Sequence, residues 1–284
     1  MSKQIPLIMI RELSYTYPNE TMALSNINLN IFKGELVGIM GKNGAGKTSL
    51  IRTLNGLIRP TKGNIYIDNE DISSKTIATL SKKVGIIFQN PFHQLFSNSV
   101  EEEIKFSLKT IYQNKEEIQS RTDLILKEFE LEKYKNRSPL NLSGGESKKL
   151  AAASIICRDP EILVFDEPTL GQDAKEIEFF INLIKNERKN GKTIIIITHN
   201  IEFAYEFLPR TILMRDGQII ADGPTKDVLN NYFLINQTSL ILPQITQFRI
   251  ALQNNGFLEM ENILSKNDMI NYLRIFLKEK SSHM

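Results

Sequence analysis

The octet Gly41-Lys42-Asn43-Gly44-Ala45-Gly46-Lys47-Thr48 matches G-x-x-x-x-G-K-[ST] without a deviation. Its glycines, Gly41, Gly44 and Gly46, allow a tight loop whose backbone N–H groups converge on an anion, where a Cβ would obstruct phosphate. Lys47 has the reach for the outer phosphates of a polyphosphate, and Thr48 offers a hydroxyl to Mg²⁺. The motif needs a strand before it and a helix after it. Both flanks comply: Leu36 to Met40 is an apolar run of strand length, and Ser49 to Leu54 reads as helix. From Thr48 onward that helix turns its positive end to the anion. A Gly-rich turn that binds nothing would not need this setting.

The remaining sequence must accommodate that unit. At 284 residues, 41% hydrophobic and 24% charged, it suffices for one large α/β domain and an appendage. A net charge of +2 is too small and too evenly spread to form a nucleic-acid groove. Cys157 is the only cysteine, which excludes an intrachain disulfide and suggests a reducing compartment. No apolar run approaches the ~18 residues of a membrane span. The stretch after Met1-Ser2-Lys3-Gln4 is too short for a secretory signal. The chain is therefore expected not to span a membrane, although it can dock on a protein that does.

Ahead of the loop, Leu13, Tyr15 and Tyr17 alternate, as do Ile27, Leu29 and Ile31, with Pro18-Asn19-Glu20 between them. This pattern predicts an antiparallel β unit with Tyr17 at its tip. Tyr17 could stack on a base there or simply pack. Beyond the loop, strands are expected at Asn64–Asp68 and Val84–Gln89, with Asn90-Pro91 as a stop. Gln89 then lies at the end of a buried strand, where α/β sites gather. It can bind Mg²⁺ or a water, or merely cap the strand.

From Val100 to about Tyr134 the pattern is helical and charged, opening on Glu101-Glu102-Glu103, a triplet suited to a helix N-terminus. With no strand inside it, this stretch reads as an inserted helical subdomain. Leu142-Ser143-Gly144-Gly145-Glu146 opens the next helix. It offers a hydroxyl, free N–H groups and a dipole to a second anion, or just an N-cap with an early glutamate.

Ile162 to Phe165 then deliver Asp166 and Glu167 to the end of a buried strand. Asp166 can hold Mg²⁺ through water while Glu167 polarises an attacking water, or the pair can cap the following helix. Ile177, Phe180, Ile181 and Ile184 stripe that helix, and Gly191 ends it. Thr193 to Thr198 is a strand buried on both faces, with His199 just beyond it, placed to meet a ligand or to serve a structural role. A hairpin follows, with Asp216-Gly217 as its turn. From about Asn231, Ile245, Phe248 and Leu252 recur at helical spacing, as do Met269, Tyr272, Leu273 and Phe276. Their partner surface could be the main domain or another chain. Ser281 to Met284 is expected to be disordered.

Taken together, these pieces resemble the nucleotide-binding subunits of ABC transporters, over about Ile8 to Leu229. The matching residues are the Walker A loop Gly41–Thr48, Gln89 in Phe88-Gln89-Asn90-Pro91, and the signature Leu142-Ser143-Gly144-Gly145-Glu146. They also include the Walker B strand Ile162–Asp166 with Glu167, the D-loop around Gly171-Gln172-Asp173, and His199. The resemblance implies a P-loop NTPase fold of the ABC ATPase type. This is a RecA-like α/β core with an antiparallel β subdomain and a helical subdomain at about 92–157. It would occupy residues 1–230, followed by a mainly helical extension, 231–284.

The same resemblance implies roles. Lys42, Asn43 and Ala45 would join the loop's other residues in binding ATP, and Tyr17 would stack on adenine. Glu167 would be the catalytic base, Gln89 would sense Mg²⁺ and the attacking water, and His199 would contact the γ-phosphate. Ser143, Gly144 and Gly145 would serve ATP held by a second ATPase subunit, so the chain is expected to dimerise. Thr48, Gln89 and Asp166 would surround Mg²⁺.

Phe88-Gln89-Asn90-Pro91, Gln94-Leu95-Phe96, Ser99 to Glu103, Pro168 to Asp173 and Leu242-Pro243-Gln244-Ile245 are similar to energy-coupling factor ATPases. That implies a peripheral place on the cytoplasmic face of a membrane, beneath integral scaffold and substrate-capture subunits. It also implies uptake of vitamins or of nickel and cobalt ions, and no nucleic-acid partner. Glu146 in place of the usual Gln, the following Ser147-Lys148-Lys149, and Gln172 in place of Leu depart from the common pattern. The alternatives are a soluble ABC ATPase acting on ribosomes or DNA, the ATPase of a conventional ABC transporter, and a P-loop kinase.

Overall fold

The computed structural model describes residues 5–255 and 265–281. The chain opens with the expected antiparallel unit, β1 (Ile8–Thr16) and β2 (Met22–Ile31). It continues through β3 (Leu36–Met40) into α1 (Lys47–Leu54), so the phosphate loop has its strand and its helix. Next come β4 (Lys62–Ile67), the two-residue β5 (Glu70–Asp71), α2 (Ile77–Lys83) and β6 (Val84–Ile87). The helical insertion holds α3 (Val100–Leu108) and α4 (Lys115–Glu128), and α5 (Gly144–Ile156) returns the chain to the sheet. Then follow β7 (Ile162–Asp166), α6 (Ala174–Lys189), β8 (Thr193–Ile197), α7 (Ile201–Phe207), β9 (Arg210–Arg215) and β10 (Gln218–Pro224). The last elements are α8 (Thr225–Asn230), α9 (Tyr232–Thr238), α10 (Gln244–Asn254) and α11 (Lys266–Ser281).

Two sheets result. One is antiparallel, ordered β2-β1-β4-β5. The other is ordered β10-β9-β3-β8-β7-β6 and is parallel except for β10. Side chains on its central strands alternate between two cores, as a pleat requires. Val37, Ile39, Val164, Ile195 and Ile197 face α1 and the antiparallel sheet. Met40, Leu163, Phe165, Ile194 and Ile196 face the helices. Burial on both faces explains why β7 and β8 are continuous apolar runs.

The register aligns the carboxyl ends of these strands. Asp166 pairs with Ile197, which pairs with Ile39, while Ile87 pairs with Phe165. The loop at Gly41, the pair Asp166-Glu167 and His199 therefore leave the sheet on the same edge.

Helix starts follow local chemistry. The Ser99 hydroxyl accepts from the Glu102 amide to begin α3, and Glu101 to Glu103 fill its positive first turn. Glu103 does more than the dipole requires. It is buried and accepts from the Phe96 and Ser97 amides at 3.1 and 2.8 Å, fixing the preceding loop.

Three expectations are revised. The strand expected to run to Gln89 stops at Ile87, because Asn90 caps a 3₁₀ turn at Pro91–His93. Gln89 is thus exposed, two residues past the strand. The two tail stripes are each other's partner: Ile245 and Leu252 meet Met269, Tyr272 and Leu273, and Ile245 also touches the main core. Phe248 stays exposed, and the Phe276 side chain lies outside the described residues. Ser281 ends α11, whereas residues 282–284 lie outside the described residues.

Arg210 ties the two sheets together. Its guanidinium donates to Asp222 at 2.8 and 2.7 Å, to Glu35 at 2.8 Å and to the Asn30 carbonyl at 3.0 Å. Arg210→Ala strands two carboxylates and a carbonyl of β2, so it should lower unfolding stability by about 1–3 kcal/mol, less than a fully buried network would lose. Thermal and urea melts check this, and Arg210→Lys should recover only part because it cannot donate in a fork.

Candidate functional site

The loop Gly41–Thr48 is built as a cradle. Gly41 has φ +145°, and a Cβ there would lie 2.2 Å from the Met214 carbonyl oxygen, so no side chain fits. Lys47 is buried, and that burial pulls its pKa below the usual lysine value. Its ammonium donates to the Gly41 and Lys42 carbonyls at 2.7 and 2.9 Å, folding back over the loop. Lys42 reaches out instead, to Asp216 in the β9–β10 turn at 3.1 Å.

Tyr17 lies in a tight turn after β1, its hydroxyl 2.9 Å from Ser49 Oγ of α1 and its ring edge-on to Tyr15. Tyr17, Asn43, Gly44, Ala45, Gly46, Lys47 and Thr48 line one cleft of about 340 Å³, with Thr21 to Ala23 completing it. The aromatic ring and the phosphate loop thus share a cavity, as a base and its phosphates would need.

Asp166 is buried, and burial pushes its carboxyl up to about 6, helped by the neighbouring Glu167 charge. It accepts no hydrogen bond among the described residues. Glu167 has a left-handed φ of 52°, unusual for a side-chain-bearing residue and the kind of strain found at functional sites. Its amide donates to the Ile197 carbonyl at 2.9 Å.

Its carboxylate is fully engaged. Thr198 Oγ1 donates to Oε2 at 3.2 Å, and the His199 amide donates to Oε1 at 3.0 Å. The His199 ring places Nδ1 2.6 Å from Oε1. The sequence places Glu167 and His199 each at the end of a buried strand; the structure pairs those strands and joins the two residues directly. Gln89 makes no hydrogen bond among the described residues, and the β6–β7 ladder ends before it, at the pair Ile87 and Phe165. Its downstream neighbour Gln94 is the anchored one, donating to the Ala151 carbonyl at 2.6 Å and to Ser154 at 3.0 Å.

Ser143, Gly144 and Gly145 begin α5, separate from the cleft that Tyr17 and the phosphate loop line. The Ser143 hydroxyl accepts from the Glu146 amide at 3.2 Å, and Glu146 accepts from the Ser143 amide at 2.8 Å, a capping box. Burial raises the Glu146 pKa, but the Tyr134 hydroxyl, Ser143 and Lys133 outweigh it and hold the carboxyl low. The departure from Gln is thereby absorbed within the helix start. The other departure, Gln172, leaves its buried Oε1 without a hydrogen-bond partner.

The two glycines differ. A Cβ on Gly145 would sit 1.4 Å from Glu176 Oε1, whereas one on Gly144 would meet nothing within 4 Å.

A second cleft, about 520 Å³, extends from Gly41, Lys42 and Asn43 past His199 to Ser239, Leu240, Ile241 and Gln244. The tail's approach to the phosphate loop was not legible in the sequence. Glu202 on α7 produces it by accepting from the Gln244 amide at 2.7 Å at the start of α10.

This combination of fold and loop defines a P-loop nucleotide-binding protein of mixed α/β type. A family model described as ABC transporter matches residues 24–170. The chain belongs to the ABC transporter family of ATP-binding proteins. It is 38% identical over 277 residues to an inferred ABC transporter ATP-binding protein of Methanosarcina acetivorans, an alignment that takes in 98% of this chain and 45% of that protein. The chain thus spans about half the length of that relative. It is 37% identical to the energy-coupling factor transporter ATP-binding protein EcfA2 of Acetivibrio thermocellus, over 94% of this chain and 99% of the relative. Among solved structures it resembles cbiO1 of Clostridium perfringens, part of the ABC transporter complex cbiONQ. The TM-score is 0.72 and the identity 35%, covering 86% of this chain and 98% of that one.

Proposed function

We propose that the chain is the ATP-binding and hydrolysing subunit of an energy-coupling factor importer for vitamins or for nickel and cobalt ions. The observation that carries the reading is the convergence of Lys47, Asp166, Glu167 and His199 on one edge of the parallel sheet, beside a cradle shaped for phosphate. Tyr17 stacks on the base. The backbone amides of Gly41 to Thr48 and the Lys47 ammonium hold the phosphates.

Lys47 must then leave the Gly41 and Lys42 carbonyls, exchanging two neutral acceptors for phosphate oxygens. Glu167 accepts the proton of the attacking water as its oxygen bonds to the γ-phosphorus. The bond from that phosphorus to the bridging oxygen breaks, releasing ADP and phosphate. His199, freed from Glu167, steadies the γ-phosphate.

Mg²⁺ suits this site. No group of three or more His, Cys, Asp or Glu side chains that could hold a metal occurs among the described residues. Mg²⁺ commonly uses one or two carboxylates, substrate phosphates and water instead. Asp166, buried without a hydrogen-bond partner, Thr48 and Gln89 would hold it. Bound there, the ion would neutralise charge on the phosphates.

Ser143 and Gly144 are read as half of a second site, completed by the phosphate loop of another ATPase subunit. The open space beside Gly144 supports this, since the chain's own packing does not require a glycine there. No helix among the described residues is long and apolar enough to cross a membrane. On this reading the chain sits at the cytoplasmic face of the membrane, docked on integral partners through the region around Phe92 to Phe106.

The test is co-purification of the tagged chain from gently solubilised native membranes. A second ATPase with small polytopic proteins is expected, and the capture subunit would indicate the cargo. Recovery of only ribosomal or DNA-associated partners would overturn the importer and favour a soluble ABC ATPase.

A further inference from the structure

Lys148 lies on α5, five residues beyond Ser143, and is only 9% exposed. It forms no ion pair among the described residues, and burial pulls its pKa down. A lysine so placed needs strong acceptors. It finds two: Nζ donates to the Glu167 carbonyl at 3.4 Å and to the Leu170 carbonyl. These are the first and last residues of one turn, which the Leu170 amide closes onto the Glu167 carbonyl at 3.3 Å. The turn carries Glu167 in its left-handed conformation. Lys148 is the only side chain among the described residues that donates to its carbonyls.

A second contact binds the same two segments. Glu176, in the first turn of α6, presses against Gly145 so closely that no Cβ fits between them. The helix headed by Ser143 is thus clamped to the segment 167–176 at both Gly145 and Lys148.

We infer that Lys148 is a positioning residue for Glu167. By anchoring both carbonyls of the 167–170 turn to α5, it fixes the backbone from which the Glu167 carboxylate projects. It also links the start of α5 to this chain's own hydrolytic centre. The inference rests on the proposed reading, in which that helix start receives ATP held by another subunit. A shift of α5 on meeting that nucleotide would pull the turn with it and bias Glu167 between His199 and an attacking water.

The test measures steady-state ATP hydrolysis by the full chain with its co-purifying partners, for wild type, Lys148→Met, Lys148→Arg, Glu167→Gln and the Glu167→Gln/Lys148→Met double variant. Lys148→Met should lower kcat by about 10-fold or more with KM within about twofold, the pattern for a group that acts on the reacting state rather than on binding. Lys148→Arg, which keeps a cation able to reach both carbonyls, should recover to within about threefold of wild type. In the Glu167→Gln background, Lys148→Met should cause no further fall, because the two residues act as one unit.

A wild-type kcat in Lys148→Met would overturn the inference. So would an equal fall in the Glu167→Gln background, or a lowered melting temperature with kcat per folded molecule unchanged. Should Lys148→Met not fold, Lys148→Gln is judged by the same criteria. Absence of ATP hydrolysis by the wild type would instead sink the ATPase reading itself.

Discussion

Glu167→Gln should slow ATP hydrolysis by about 10²-fold or more while leaving ATP binding intact. The amide keeps the size of the side chain; its oxygen can still accept from the His199 amide, as carboxylate Oε1 does at 3.0 Å, and its NH2 can donate to Thr198 Oγ1, which lies 3.2 Å from Oε2. It cannot take a proton from water. Glu167 also lines neither the cleft around Tyr17 nor the cradle around Lys47, so nucleotide affinity has no reason to fall. Single-turnover hydrolysis alongside fluorescent-nucleotide binding separates the two quantities. Hydrolysis at the normal rate would remove Glu167 as the base and leave the pairing with His199 as a purely structural contact.

Lys47→Ala should abolish hydrolysis, and here binding should fail as well. The ammonium is the cationic side chain buried in the phosphate cradle, and its desolvation is already borne by the protein before nucleotide arrives. Without it, the Gly41 and Lys42 carbonyls lose their donor, and the phosphates meet oxygen dipoles where they need a positive charge. Titration with ATP and Mg²⁺ should show affinity lost by at least about 10-fold. A variant that bound ATP normally and hydrolysed it would show that the loop amides alone suffice.

Where a pattern is local, the sequence conveyed the structure well. The phosphate loop, the alternation of Ile27, Leu29 and Ile31, and the apolar runs ending at Asp166 and Thr198 each arise from a period or spacing within a few residues. The end of β6 was harder to see, because Asn90 caps a 3₁₀ turn and shortens the strand.

The contact between Glu167 and His199 was out of reach. It depends on parallel pairing of β7 with β8 across 32 residues and on a left-handed backbone at Glu167. Lys148 likewise stands out in the sequence only as part of the departure Ser147-Lys148-Lys149; its hold on the turn at Glu167 is a tertiary contact. The tail stripes were legible as amphipathic helices, but their choice of each other is a tertiary decision that helical spacing leaves open.

The unequal surroundings of Gly144 and Gly145 bear on how damage to this protein would present. A side chain at Gly145 collides with Glu176 inside its own subunit, so the lesion is one of manufacture, visible as poor yield or early melting. A side chain at Gly144 meets empty space, so the chain would be made and would melt normally, and any fault would surface only in the proposed pairing with a second subunit. Two adjacent glycines in one motif thus answer to different quality controls. One answers to packing within the chain, the other to the proposed pairing with a second subunit.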